Sequence, residues 1–296
     1  MQQTSAVALG LFDGVHIGHR AVLAAAVACE AEGLIPAAFT MQTTSVRLKR
    51  GTPLQYLYSD ATKQRLLEEN GIQQVVSPAF DDIAGMDGET FCKVYLQEQM
   101  RAKKLFCGMD FRFGKQAAWG VADLRQFGRQ MGFTVEVVEA VRQGGDVISS
   151  SRIRQLLSEG KVEQAADLLG VPYQLEGIVQ HGAALGRTLQ FPTINLPFAA
   201  GQLVPLYGVY RTKVYLKDGS CWDGVTNIGV KPTVSEERVP VAETHLLGYH
   251  GDLYGQPCRI VVLEFLRREQ KFDNLEQLKA AIANDIETVQ QAASCR

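Results

Sequence analysis

A change of hydrophobic rhythm near residue 170 leaves few folds open to this chain. Before it, short apolar runs alternate with helical patterns. The spacing predicts strands at 6–12, 35–40, 74–77, 104–107 and 134–138. Helices are predicted between them, through Val22, Leu23, Ala26 and Val27, then over 61–70 and 87–101. Strand–helix alternation of this kind gives an α/β domain, a parallel sheet with right-handed crossovers. At Leu169-Gly170-Val171-Pro172 the rhythm breaks, because Gly followed by Pro ends a helix. Beyond it the runs shorten to strands at 175–179, 208–216, 221–228, 241–247 and 259–265. Lys217-Asp218-Gly219-Ser220 suits a hairpin turn. Several strands joined by turns predict a small antiparallel β-barrel. Leu275, Leu278, Ile282, Ile286 and Val289 then recur at helical spacing, with Asp273 and Glu276 placed as a capping box. The expected domains are 1–172 and 173–296.

Composition narrows the function classes. Of 296 residues, 30 are Lys or Arg and 32 are Asp or Glu, for a formal charge of -2. That balance argues against a broad basic surface for nucleic acid or anionic membrane, but leaves room for a local anion pocket. No apolar run approaches the ~18 residues of a membrane span. The N-terminal segment is polar and lacks a basic region ahead of an apolar one, so no secretory signal is expected. Six scattered cysteines form no Cys-x-x-Cys pair, which fits reduced thiols in a cytoplasmic protein.

Two groups of motifs carry chemistry. The first is Gly10-Leu11-Phe12-Asp13-Gly14-Val15-His16-Ile17-Gly18-His19, directly after the first strand and opening the first helix. Gly14 and Gly18 permit a tight turn and close ligand approach. His16 and His19, three apart, share a face where free backbone N–H groups and the positive end of the helix dipole favour an anion such as a triphosphate. Two histidines with no third ligand make a poor metal site. Further along, Ser150 and Ser151 are N-cap types ahead of Ile153, and Arg154 offers a fork of donors suited to phosphate. The second group is Gly182 to Gly186-Arg187, then Phe191-Pro192-Thr193-Ile194-Asn195, and later Glu243-Thr244-His245. Thr193 and Asn195, at i and i+2 of an extended segment, point hard oxygen ligands to one side, as Mg²⁺ prefers. No Walker-type phosphate loop is present.

These strings resemble the bacterial bifunctional riboflavin kinase/FMN adenylyltransferases (FAD synthetases) over almost the whole chain. Their adenylyltransferase half, of the Rossmann-like nucleotidyltransferase superfamily, carries G-x-F-D-G-V-H-x-G-H near its start. Asp110-Phe111-Arg112-Phe113-Gly114 and Ser149-Ser150-Ser151-Arg152-Ile153-Arg154 match two further signatures. The kinase half carries G-R-x-L-G-F-P-T-A-N, E-T-H and L-R-x-E-x-K-F, matched from Gly186, Glu243 and Leu266 with Gln190 and Ile194 as departures. The resemblance implies Mg-ATP as co-substrate, and riboflavin, FMN and FAD as partners. It implies His16, His19 and Arg154 acting on phosphates, and Gly10, Phe12, Asp13, Gly18, Ser150 and Ser151 around the nucleotide. In the other half, Gly182, Gly186 and Arg187 would meet the nucleotide, Thr193 and Asn195 the metal, and Glu243 would accept the ribityl hydroxyl proton. Asn227, Arg267 and Asp110 are the flavin-side contacts expected. The family's T-F-x-P-H-P is missing: residues 39–45 read Phe-Thr-Met-Gln-Thr-Thr-Ser, and Leu11 stands where Asn is frequent. The alternative is therefore a riboflavin kinase with a weak or inactive adenylyltransferase half. A third reading is a flavin- and nucleotide-binding regulator without turnover.

Overall fold

A computed structural model describes residues 3–45, 55–181, 191–232 and 238–294. Gly182, Gly186 and Arg187 lie outside the described residues. The chain divides into two compact units, Met1–Ser150 and Ser151–Arg296.

In the first unit the strands are β1 (Ser5–Leu9), β2 (Ile35–Phe39), β3 (Gln74–Val76), β4 (Ala102–Gly108) and β5 (Thr134–Val138). They form one parallel sheet in the order β3-β2-β1-β4-β5. Both faces of β1 are covered, so it reads as an unbroken apolar run: Ala6, Val7 and Ala8 are wholly buried. Helices α1 (Ile17–Ala28), α2 (Asp60–Glu69), α3 (Phe80–Ile83), α4 (Gly88–Phe91) and α5 (Val121–Met131) belong to the same unit. The helix expected over 87–101 is α4 running into a π-helical stretch, Cys92–Gln99. A short hairpin, β6 (Arg142–Gln143) with β7 (Asp146–Val147), follows β5. The strand order reverses between β1 and β4, and in such sheets ligands bind outside the carboxyl ends of the strands at that point. The loop after β1 stands there.

Helix α6 (Ser150–Ser158) starts at the last residue of the first unit and runs into the second, and α7 (Val162–Leu169) follows. The barrel strands are β8 (Gln174–Ile178), β9 (Thr193–Pro197), β10 (Gly208–Leu216), β11 (Cys221–Pro232), β12 (Arg238–Leu246) and β13 (Pro257–Arg268). They pair antiparallel in the order β8-β13-β10-β11-β12-β9, and a bridge between Gln180 and Asn195 nearly closes the ring. Thr212, Thr226 and Thr244 are wholly buried, and their hydroxyls form a chain with 2.8 Å links. A buried hydroxyl is costly unless paired, and each of these has a partner. The terminal helix α8 (Leu275–Ser294) covers the outer face of the barrel, with Val289 packed against Val209 and Val225.

Two expectations about α8 are corrected. Asn274, not Asp273, caps it: its side chain accepts from the Gln277 N–H at 2.9 Å, while Gln277 reaches back to the Asp273 N–H. Leu275 is 59% exposed, because the packed stripe begins one turn later.

Candidate functional site

The first motif is not strand to Phe12. β1 ends at Leu9, and the chain turns sharply: Phe12 has φ 51° and Val15 φ 41°. A left-handed β-branched residue is a genuine outlier, and each such residue costs about 1–3 kcal/mol. Burial holds both in place, with Val15 at 0% exposure. Asp13, also buried, accepts the Leu57 N–H at 2.8 Å. The turn delivers His16 to the N-cap of α1, where its Nδ1 accepts the His19 N–H at 3.2 Å. That bond makes Nδ1 an acceptor and leaves the neutral ring's proton on Nε2. The two imidazoles stack at 3.5 Å. Gly18 lets them pack closely, since a Cβ there would lie 3.2 Å from the His16 ring, tight enough that the ring would have to shift. The pKa of His19 is lowered well below the usual imidazole range, first by burial and then by His16 and Lys63. Its Nδ1 is buried without a hydrogen-bond partner among the described residues, so no bond at that nitrogen offsets the lost solvation of a charged ring.

Ser150 does not cap a helix. It is the first residue of α6, and its hydroxyl donates to the Asp13 carbonyl at 2.8 Å, tying that residue to the turn. Ser151 and Arg154 lie further along α6, exposed and half-buried respectively. Asp110 is exposed just past β4, and Gly10 donates its N–H to Phe39 at 3.2 Å.

In the second unit the site follows from register. β12 and β9 set Glu243 opposite Asn195, and His245 opposite Thr193; β11 sets Asn227 opposite Glu243. Side chains directly opposite share a face. Thr244 and Thr226 fill the barrel interior, so their neighbours Glu243, His245 and Asn227 face outward, toward α8. Between that face and α8 lies a cavity of about 590 Å³, walled by Phe191, Phe272, Leu278 and Ile282 among others. Its size suits a small-molecule site. The Thr193 hydroxyl donates to Glu243 at 2.9 Å, and His245 Nδ1 lies 2.8 Å from the Pro192 carbonyl. Asn227 donates to Glu269 at 3.2 Å. Arg267 grips Asp285 through Nε at 3.0 Å and Nη2 at 2.7 Å. A second cavity of about 230 Å³, lined by Leu246, Tyr249 and Tyr254, also includes Thr193 in its wall. Asn195 is buried. Sequence reasoning missed Lys63, Asp60, Asp285, Leu278 and Ile282. The last two were placed on one face of the terminal helix by their spacing, and there they are half-exposed cavity wall.

Residues 1–152 match the FAD synthetase family model and residues 169–293 the riboflavin kinase model. The bifunctional riboflavin kinase/FMN adenylyltransferase of Escherichia coli (strain K12) is 35% identical over 96% of this chain and 91% of its own. The chain belongs to the bifunctional riboflavin kinase/FMN adenylyltransferase family. The family's Haemophilus influenzae member is 33% identical over 97% of this chain and 93% of its own. A crystal structure described as a macrolide-efflux protein from Streptococcus pneumoniae superposes with a TM-score of 0.84 and 28% identity, over 98% of this chain and 95% of the other. Efflux is said of that protein; among the residues described for this family member, no helix is long and apolar enough to cross a membrane.

Proposed function

We propose that the barrel unit phosphorylates riboflavin to FMN and the α/β unit adenylylates FMN to FAD, both with ATP, in the cytoplasm. The observation that carries the kinase assignment is Thr193. Its hydroxyl is bonded to Glu243, and it belongs to the walls of both cavities. We assign the larger cavity to riboflavin and the smaller to the nucleotide, which puts the reacting groups at their common boundary. A primary hydroxyl is a poor nucleophile. Glu243 accepts its proton as the oxygen attacks the γ-phosphorus, and ADP leaves. Arg267 and Asn227 line the flavin side.

No group of three or more His, Cys, Asp or Glu is arranged to hold a metal among the described residues. The donors present are instead one hydroxyl, one amide and one carboxylate near each other in register. That set fits Mg²⁺ arriving with ATP, because Mg²⁺ keeps most of its ligands as water and phosphate oxygens. We assign Thr193 and Asn195 to it. When bound, it supplies neutralisation of phosphate charge.

In the other unit, an FMN phosphate oxygen attacks the ATP α-phosphorus and pyrophosphate departs. No covalent protein intermediate is needed, only placement and charge. We assign His16 to a phosphate oxygen, and the capping bond from the His19 N–H to its Nδ1 holds the ring still. We assign Gly10, Phe12, Asp13, Gly18, Ser150 and Ser151 to the nucleotide, Arg154 to the departing pyrophosphate, and Asp110 to the flavin. The free state of Cys29, Cys92, Cys107, Cys221 and Cys258 agrees with a reducing compartment.

Incubation with riboflavin, ATP and Mg²⁺, followed by chromatography, tests the whole reading. FMN and FAD are both expected. FMN alone, even when FMN is supplied, would confine the activity to the kinase; flavin binding with no product would reduce the chain to a binding protein.

A further inference from the structure

The segment after β2 is the part of the first unit that departs from the pattern expected at residues 39–45, and it is held by a buried cation. Lys63, on α2, is only 2% exposed. Its ammonium donates to the Met41 carbonyl at 2.5 Å and to the Thr43 hydroxyl at 2.7 Å, and pairs with Asp60 at 3.2 Å. Asp60 closes the network by accepting the Thr43 N–H at 2.7 Å and the Thr44 hydroxyl at 3.1 Å. The same segment is stitched to the loop after β1, since the Thr40 hydroxyl donates to the Leu11 carbonyl at 2.8 Å. Removing an ammonium from water is expensive, and a buried ion pair adds little net stability over an apolar one. What the network does achieve is one conformation for residues 41–45, at the carboxyl edge of the sheet beside the His16–His19 turn.

We propose that Lys63 is a positioning residue for adenylyl transfer, its ammonium fixing the Met41–Ser45 segment against the loop that carries His16 and His19. This rests on the adenylyltransferase reading of that loop. The electrostatics agree with the geometry. Burial lowers the Lys63 pKa while Asp60 and Asp13 raise it, and the charge of Lys63 in turn helps keep His19 neutral. Burial raises the Asp60 pKa, but the Thr43 N–H and Lys63 outweigh it and hold the carboxyl low. The charged and titratable groups acting on this site are thus His16 on α1, Lys63 and Asp60 on α2, and Asp13 in the loop; Tyr56, ahead of α2, feels Asp60.

The test uses the full chain with Lys63→Met and Asp60→Asn, read by two measurements. In the first, FAD formation from supplied FMN is followed against ATP at neutral pH. Both variants should lose roughly ten- to a hundredfold in kcat/KM, with FMN formation in the barrel unit unchanged. In the second, the His19 ring is titrated by NMR. Lys63→Met should raise the His19 pKa, whereas Asp60→Asn, which keeps the cation, should not. Normal FAD formation by Lys63→Met would overturn the proposal. So would lost activity in Lys63→Met with an unmoved His19 titration, because that is the mark of a merely structural lysine. If the unsubstituted chain makes no FAD, the adenylyltransferase reading fails and this role falls with it; a shifted His19 titration would then show only that the electrostatic hold exists.

Discussion

Asp285 is the acid that the apolar stripe of α8 did not predict, and replacing it separates packing from recognition. Its side chain is 5% exposed and bonded to Arg267, whose side chain is 25% exposed. Breaking a fully buried pair by removing one partner costs about 3–5 kcal/mol. Arg267 opens onto the larger cavity and can recover water there, so Asp285→Asn should cost about 2–3 kcal/mol. For a unit of this size that lowers Tm by roughly 5–10 °C. The freed guanidinium also loses its direction. On the proposed role, in which it binds ground state and transition state alike, KM for riboflavin should rise about tenfold while kcat holds. An Arg267→Met/Asp285→Leu double variant provides the control. It should recover stability to within about 1 kcal/mol of the parent, since an apolar pair replaces an ionic one without loss. It should not recover KM. Thermal melts and riboflavin saturation curves measure both quantities. The reasoning is refuted if Asp285→Asn leaves Tm unchanged, or if the double variant restores riboflavin binding.

Two further outcomes concern the first unit. Gly18→Ala would place a Cβ 3.2 Å from the His16 ring and tilt it off the cap, so FAD formation should fall about tenfold or more while FMN formation stays normal, as product chromatography would show. The lowered pKa of His19 makes stability pH-dependent: below about 6.5 the unfolded chain takes up a proton that the folded one refuses. Unfolding free energy should therefore fall as pH drops from about 6.5 toward the folded value. Denaturant titrations of His19→Gln across that window should show a flatter curve.

The α/β domain and the barrel were both legible, because a buried parallel strand and a hairpin strand differ in length and punctuation. β5 and β10 match their expected spans, and each is followed by a charged residue, Glu139 and Lys217. β1 was read three residues past its end: Leu11 and Phe12 are apolar, but they lie in a turn, left-handed at Phe12, that hydrophobicity does not report. The β6–β7 hairpin was missed although Gly144-Gly145, with φ of 64° and 88°, is a strong signal for such a turn. At the sites, residues with a distinctive motif were found and those acting through a neighbour were not. Glu243 and Thr193 stand in recognisable strings, and their hydrogen bond followed from strand register. Lys63 and Asp285 read as an ordinary helix-surface lysine and aspartate. Only the tertiary fold shows what surrounds them. Leu278 and Ile282 were placed on the correct face of α8, but periodicity cannot tell a face that meets a core from one that meets a cavity.

The central claim is that a carboxylate on the outer wall of the barrel activates the vitamin's hydroxyl. Its most direct test is the turnover of Glu243→Gln, an isosteric change that keeps one oxygen for Thr193 and removes the base. FMN formation from riboflavin should fall by about 10²–10⁴ in kcat, while FAD formation from supplied FMN proceeds as before. Normal FMN turnover by that variant would contradict the account.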